Sequence, residues 1–280
     1  MKNNLFHLNN IRIEISFKSF EELRKILSFY ERNNIYKINI PSKNGLKKDF
    51  LLESIRISKR EFKNMDIIPH FSILHEFKRN KINTQASFYE FIQAIKNLGC
   101  KELLLVSGSQ KRSTLDTVIA LNMLKDNPMF SIDDIFIGVA LNPYLPDFMF
   151  EEELVRLEKK LSSGLVGSIW IQFGTDYILL KSRMKTITKI VNKSIRNNLK
   201  ISKIMFFGSI LIPSKQFLAR FKYRPWKGVY CSDEFLESID IANEIIIKML
   251  KTYNEYEIYP IIETNSSSDK NLNIVKSLFD

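Results

Sequence analysis

Short runs of apolar and β-branched residues alternate along this chain with longer stretches whose apolar positions recur every three or four residues. The short runs read as strands and the long ones as amphipathic helices. Strands are predicted near 11–17 (IRIEISF), 36–40 (YKINI), 66–72 (DIIPHFS), 101–107 (KELLLVS), 135–141 (IFIGVAL), 167–173 (GSIWIQF), 203–210 (KIMFFGSI) and 256–262 (YEIYPII). Phe20, Leu23, Ile26, Leu27 and Tyr30 share one face of the first helix, and further helices fit 48–62, 85–98, 114–126, 150–163, 178–197, 214–222, 234–253 and 268–279. Asp147 and Ser214 are expected at or beside helix N-caps, and Gly99 and Gly164 fall where a helix must turn back into a strand. Strands that are each followed by a helix predict the α/β class and a single closed (β/α)8 TIM barrel over 1–280, with no domain boundary. Pro69 and Pro260 lie inside predicted strands, where a missing N–H calls for a bulge or edge-like bonding.

Composition narrows this picture only a little. At 280 residues and 45% hydrophobic content the chain can bury a large core. The longest apolar runs are strand-sized, well short of the roughly 20 residues of a membrane helix. The N-terminal MKNNLFHLNN has no sustained apolar core, so no secretory signal is expected and the cytoplasm is the expected compartment. Cys100 and Cys231 are too few for a disulfide framework, no ligand spacing for a metal is present, and Cys100 is expected to pack at a helix end. Forty-two Lys and Arg against 31 Asp and Glu give a net charge of +11. These cations are spread over most of the predicted helices, as the Lys, Asn and Ile bias of an AT-rich coding sequence would produce. They do not form a stacking platform, so nucleic acid is not the expected partner. Self-association into a homo-oligomer stays open.

In barrels of this kind chemistry gathers at the C-terminal ends of the strands. That rule selects Glu14 and Ser16, Asn39, His70 and Ser72, Ser107 to Ser109, Asn142, Gln172, Ser209, and Glu263 to Asn265. Glu14, read as an inward carboxyl on an otherwise apolar strand, is a candidate general acid; the other reading is a structural ion pair. Gln172 offers a donor and an acceptor for the edge of a heterocycle, or hydrogen-bonds its own loop. His70 is a candidate base or a core histidine with satisfied nitrogens, and it lacks the partners a metal would need. His7 and His75 have less support. Lys159 and Lys160 suit a diphosphate, or form the solvated last turn of a helix.

These strand-end segments, taken in order, resemble the methylenetetrahydrofolate reductase family over nearly the whole chain. IEISF, YKINIPSKNG, IIPHFS, LLLVSGS, VALNPYLP, IQFGTD and FGSILIPS are similar to its successive motifs. The resemblance implies reduction of methylenetetrahydrofolate to methyltetrahydrofolate in one-carbon metabolism, with Glu14 as the acid and FAD carrying hydride from NADH or NADPH. It further implies folate contacts from Gln172, Asn39 and Ser109, and flavin contacts from His70, Ser72, Ser107, Gly108, Asn142, Lys159 and Lys160. Asp176 matches a family Asp or caps the following helix. The family's Arg-Gly-Asp is Ser107-Gly108-Ser109 here, its second-strand Thr is Asn39 and a Tyr is Asn142, which predicts weak FAD retention. The alternative expectation is a folate-binding or regulatory barrel that reduces nothing.

Overall fold

Along the first strand the odd positions Ile11, Ile13 and Ile15 are buried in one large apolar cluster with the helices, so the even positions Arg12 and Glu14 face the other way. The same parity runs through the sheet and defines the molecule. In this computed structural model, which describes residues 10–42, 48–73, 81–107, 116–127, 130, 135–197 and 201–279, the strands are β1 (Arg12–Glu14), β2 (Lys37–Ile40), β3 (Asp66–Ser72), β4 (Glu102–Val106), β5 (Phe136–Leu141), β6 (Val166–Ile171), β7 (Met205–Ile210) and β8 (Ile258–Ile262). They are parallel, in chain order, and close into a barrel through the β1–β8 pairing of Arg12 with Ile261. The predicted TIM barrel is therefore what the chain forms.

The described helices are α1 (Phe20–Arg32), α2 (Lys48–Glu61), α3 (Lys81–Asn97), α4 (Thr117–Lys125), α5 (Asp147–Leu161), α6 (Tyr177–Asn197), α7 (Lys215–Tyr223), α8 (Asp233–Glu237), α9 (Ile239–Glu255) and α10 (Asp269–Ser277). Helix α1 shows the logic. Ser19 accepts from the Glu22 N–H at its start, and Leu23, Ile26, Leu27 and Tyr30 form the buried stripe against the sheet. Ser214 caps α7 as expected, and Gly99 and Gly164, both at φ 75°, turn α3 and α5 back toward the next strand. Asp147 stands directly beside an N-cap, as expected: Pro146 holds the cap, Asp147 opens the helix, and its carboxylate accepts from Arg183 at 2.6 Å. The helix expected over 234–253 is two helices, because the Ser238 hydroxyl accepts from the Ile241 N–H and starts a new one. Pro69 and Pro260 sit in register opposite Ile40 and Gly208 without the expected bulge; the irregularity lies at Ile137/Gly138. Cys100 is buried just past α3.

Inside the barrel Ile68, Leu104, Trp170, Phe207 and Ile261 make a separate apolar plug, with the Trp170 and Phe207 rings stacked at 4.2 Å. Toward the strand N-termini the plug rests on charge. Arg12 pairs with Asp66, and Glu102 accepts from Ser168, which also takes the Trp170 indole N–H at 2.7 Å. Toward the C-termini the plug ends in the polar residues of the mouth.

Candidate functional site at the barrel mouth

Above the plug, β1, β2 and β3 bring Glu14, Asn39 and His70 together. Register makes this inevitable, since Glu14 pairs with Asn39, Asn39 with Ile68, and His70 stands two residues on from Ile68 on the same face. The Asn39 amide nitrogen lies 2.7 Å from His70 Nε2, and His70 Nδ1 lies 3.9 Å from a Glu14 oxygen. All three are largely shielded: Asn39 is fully buried, and the Glu14 and His70 side chains are 15% and 10% exposed. The His70 ring meets the Trp170 ring edge-on at 6.3 Å, so the apolar plug sets its tilt.

Glu14 also lines a recess of about 20 Å³ with Ser16, Tyr30, Glu263, Asn265 and Ser267, enough for one water. Its far wall is anchored by Ser266, whose hydroxyl meets the Tyr30 phenol at 3.1 Å, and by Glu263, which accepts from Ser209. Beside it a cavity of about 210 Å³ is lined by Ser214, Gln216, Phe217, Arg220, Trp226 and Thr264, with Glu263 common to both. This cavity follows β7 and β8 at the start of a short helix, the position where many barrels hold phosphate. A larger hollow of about 570 Å³ opens at the other end of the barrel, between the C-terminal ends of α4, α5 and α6.

Other sequence candidates are placed as follows. Gln172 continues the inward parity of Ser168 and Trp170 and is half-buried at the end of β6, its N–H given to the Leu141 carbonyl at 2.9 Å. Ser72 is buried at the end of β3 opposite Val106. Ser107 is tied to the start of α4, its hydroxyl 2.5 Å from that of Thr117 and accepting the Thr117 N–H. Gly108, Ser109, His7 and His75 lie outside the described residues. Asn142 straps the end of β5 to the following loops, donating to the Gly228 carbonyl and accepting from the Tyr144 N–H. Asp176 caps α6 through the Leu179 N–H.

The Lys159–Lys160 pair divides. Lys159 is exposed on the outer ring of helices, while Lys160 is buried between α5 and β5, donating to the Ala140 carbonyl at 2.8 Å and to Glu153 at 3.1 Å. Burial lowers the Lys160 ammonium from its ordinary value, and Glu153 opposes that shift. Burial likewise raises Glu102, with Ser168 and Arg12 pulling the other way, and pushes the Cys100 and Cys231 thiols up to about 11 and about 12. Neither thiol is then a nucleophile at neutral pH. Among the described residues no three ligating side chains gather for a metal, and no helix is long and apolar enough to cross a membrane.

Sequence reasoning passed over Arg12, Asp66 and Glu102. The signal was present in IRIEIS, where polar residues occupy every even place. Reading β1 as otherwise apolar was wrong for the inward face: its isoleucines face the helices.

No family model and no curated protein matches this chain. Solved structures do. An aldo/keto reductase from Klebsiella pneumoniae in complex with NADP and acetate aligns with TM-score 0.54 at 10% identity, over 97% of this chain and 86% of that one. A second, in complex with NADPH, gives 0.51 at 12% identity over 97% and 85%. A putative 2,5-diketo-D-gluconic acid reductase B gives 0.50 at 12% over 97% and 82%. At such identity the likeness is one of fold. It nevertheless corrects the resemblance to the methylenetetrahydrofolate reductases: two of these barrels are described with NADP or NADPH, and none of the three as a folate enzyme or a flavoprotein. The folate substrate, the FAD cofactor and the non-reducing folate-binding alternative go with it. Local geometry agrees, since Asn142 and Lys160 spend their polar atoms on the protein itself. What the chain shares with the solved structures is the closed barrel; the polar mouth that joins a carboxyl, an imidazole and an amide is built from its own residues.

Proposed function

We propose that the mouth is the active site of an oxidoreductase that reduces a small polar carbonyl compound with NADPH. The observation that carries this is the Glu14–His70 pair, 3.9 Å apart, shielded from solvent, and placed where barrel active sites lie. A carbonyl oxygen seated between the two groups would accept a hydrogen bond from His70 Nδ1. Glu14 would then supply the proton as the oxygen gains charge. A neutral imidazole acting as electrophile beside a proton-transferring carboxyl group is a division of labour known in barrel enzymes, where that carboxyl serves as a base. Gln172, inward at the same mouth, supplies a further donor and acceptor for the substrate.

The dinucleotide is supported by the company the fold keeps and by the cavity after β7. Its residues fit a phosphate-bearing group: the Arg220 guanidinium for charge, the Ser214 and Thr264 side chains for hydrogen bonds, and the Trp226 and Phe217 rings for a flat base. When bound there, the nicotinamide supplies the hydride. Arg220 and Ser214 would hold the phosphate end, and the plug beneath His70 excludes water from below.

The test is a titration of the purified protein with NADPH, followed by nucleotide fluorescence, and then NADPH oxidation against a panel of small aldehydes, ketones and 2-oxo acids. Saturable binding weakened at least about tenfold in Arg220→Glu, the scale of one charge-assisted contact, is the expected result. Absence of saturable NADPH binding would remove the reading.

A further inference from the structure

The contacts of Asn39 fix more than the position of His70. A guanidinium carries only donors, so the amide atom facing Arg12 Nη1, at 3.4 Å, must be the Asn39 oxygen. The amide nitrogen is then the group held 2.7 Å from His70 Nε2, and it too is a donor. Nε2 must therefore present its lone pair, which leaves the ring proton on Nδ1, the nitrogen that faces Glu14. Rotating the amide by 180° would set its NH2 against Arg12. Arg12 cannot turn away, because Nη1 also donates to the Ile38 carbonyl at 3.2 Å and the Asp66 carbonyl at 3.1 Å, and Nη2 pairs with the Asp66 carboxylate.

We propose that Arg12 is a positioning residue which, through the Asn39 amide, locks His70 in its Nδ1–H tautomer, so that only the ring edge facing Glu14 meets the substrate. This rests on the reading of the mouth as a proton-handling site for its significance, though not for its geometry. The charged groups directed toward this part of the interior among the described residues are Arg12 and Glu14 on β1, Lys37 on β2, Asp66 on the strand of His70, Glu102 on β4 and Glu263 after β8. A second proton on Nε2 would point at the Asn39 NH2 while Arg12 stands behind it. A neutral imidazole is thus the form this arrangement accepts, and a neutral Nδ1–H can serve as the electrophilic partner of a carbonyl oxygen.

The tautomer is read directly from the ring 15N shifts and two-bond proton correlations of 15N-labelled protein. Of the three histidines, His70 is assigned by the signal lost in His70→Gln. The wild-type protein is expected to show protonated Nδ1 and unprotonated Nε2 at pH 7. Asn39→Asp replaces the amide donor by an acceptor while keeping the Arg12 contact, and should move the ring to the doubly protonated form, raising its midpoint by about 1 to 3 pH units. Arg12→Met should release the amide and mix the tautomers, whereas Arg12→Lys, still donor-only, should restore Nδ1–H. If Arg12→Met does not fold, Asn39→Asp decides. An Nε2–H tautomer in the wild type, or an unmoved midpoint in Asn39→Asp, overturns the proposal. Nδ1–H in a protein that oxidises no NADPH would uphold the lock and refute the function.

Discussion

Gly138 on β5 is where the account of the barrel interior can be pressed hardest. Its backbone is not in the left-handed region, so any penalty for a side chain there is one of space alone. A Cβ at this position would stand 2.7 Å from Ser168 Oγ and 2.9 Å from Trp170 Cδ1, with the indole nitrogen closer still. Trp170 cannot yield freely, being stacked on Phe207, hydrogen-bonded to Ser168 and abutted by His70. Overpacking of this kind costs about 1 to 3 kcal/mol. For a barrel of this size that is a Tm lower by about 2 to 12 °C. Gly138→Ala should be followed by thermal and urea unfolding with circular dichroism, beside Trp170→Phe and the double variant. Because Trp170→Phe makes room for the new methyl, the double variant should be more stable than the sum of the singles by at least about 1 kcal/mol. An unchanged Tm in Gly138→Ala, or strict additivity, would refute the claim that Trp170 is wedged between β5 and His70.

Burial raises Glu102, so the folded state favours its protonated form. The associated stability is complete below the ordinary carboxyl value and is lost as pH rises through the raised one. Glu102→Gln should therefore raise Tm at pH 7 to 8 and lose this advantage below about pH 4, as scanning calorimetry across that range would show. Lys160→Met removes a buried ammonium with two hydrogen bonds and should change Tm while leaving NADPH affinity and turnover unaltered. A selective loss of nucleotide binding would return that lysine to the site.

The fold was legible because a closed parallel barrel writes itself as strands and crossover helices at regular intervals, and tertiary packing shifted only boundaries. The split at Ser238 is such a shift: a serine that reads as neutral inside a helical pattern accepts from the Ile241 N–H and starts a new helix. The mouth was half legible. Strand ends named Glu14, Asn39, His70 and Gln172, but not that Asn39 and His70 bond each other, which depends on register across β2 and β3. Lys160 reads like any basic residue in a last turn, and only its depth against β5 shows it to be structural. The family resemblance misled for a related reason. Small, polar and aromatic residues recur at the strand ends of barrels generally, so short motifs in order report the architecture before they report a substrate.

The central claim is that Glu14 and His70 serve a hydride transfer from NADPH. Its most direct measurement is the single-turnover rate of NADPH oxidation with the best carbonyl substrate, wild type beside Glu14→Gln and His70→Asn, with NADPH affinity measured on the same samples. The account predicts rates lower by about 10² to 10⁴ in both variants, the usual weight of a placed proton donor or its partner, with NADPH affinity unchanged. Equal rates in the three proteins, or no NADPH oxidation by the wild type with any carbonyl compound, would contradict it.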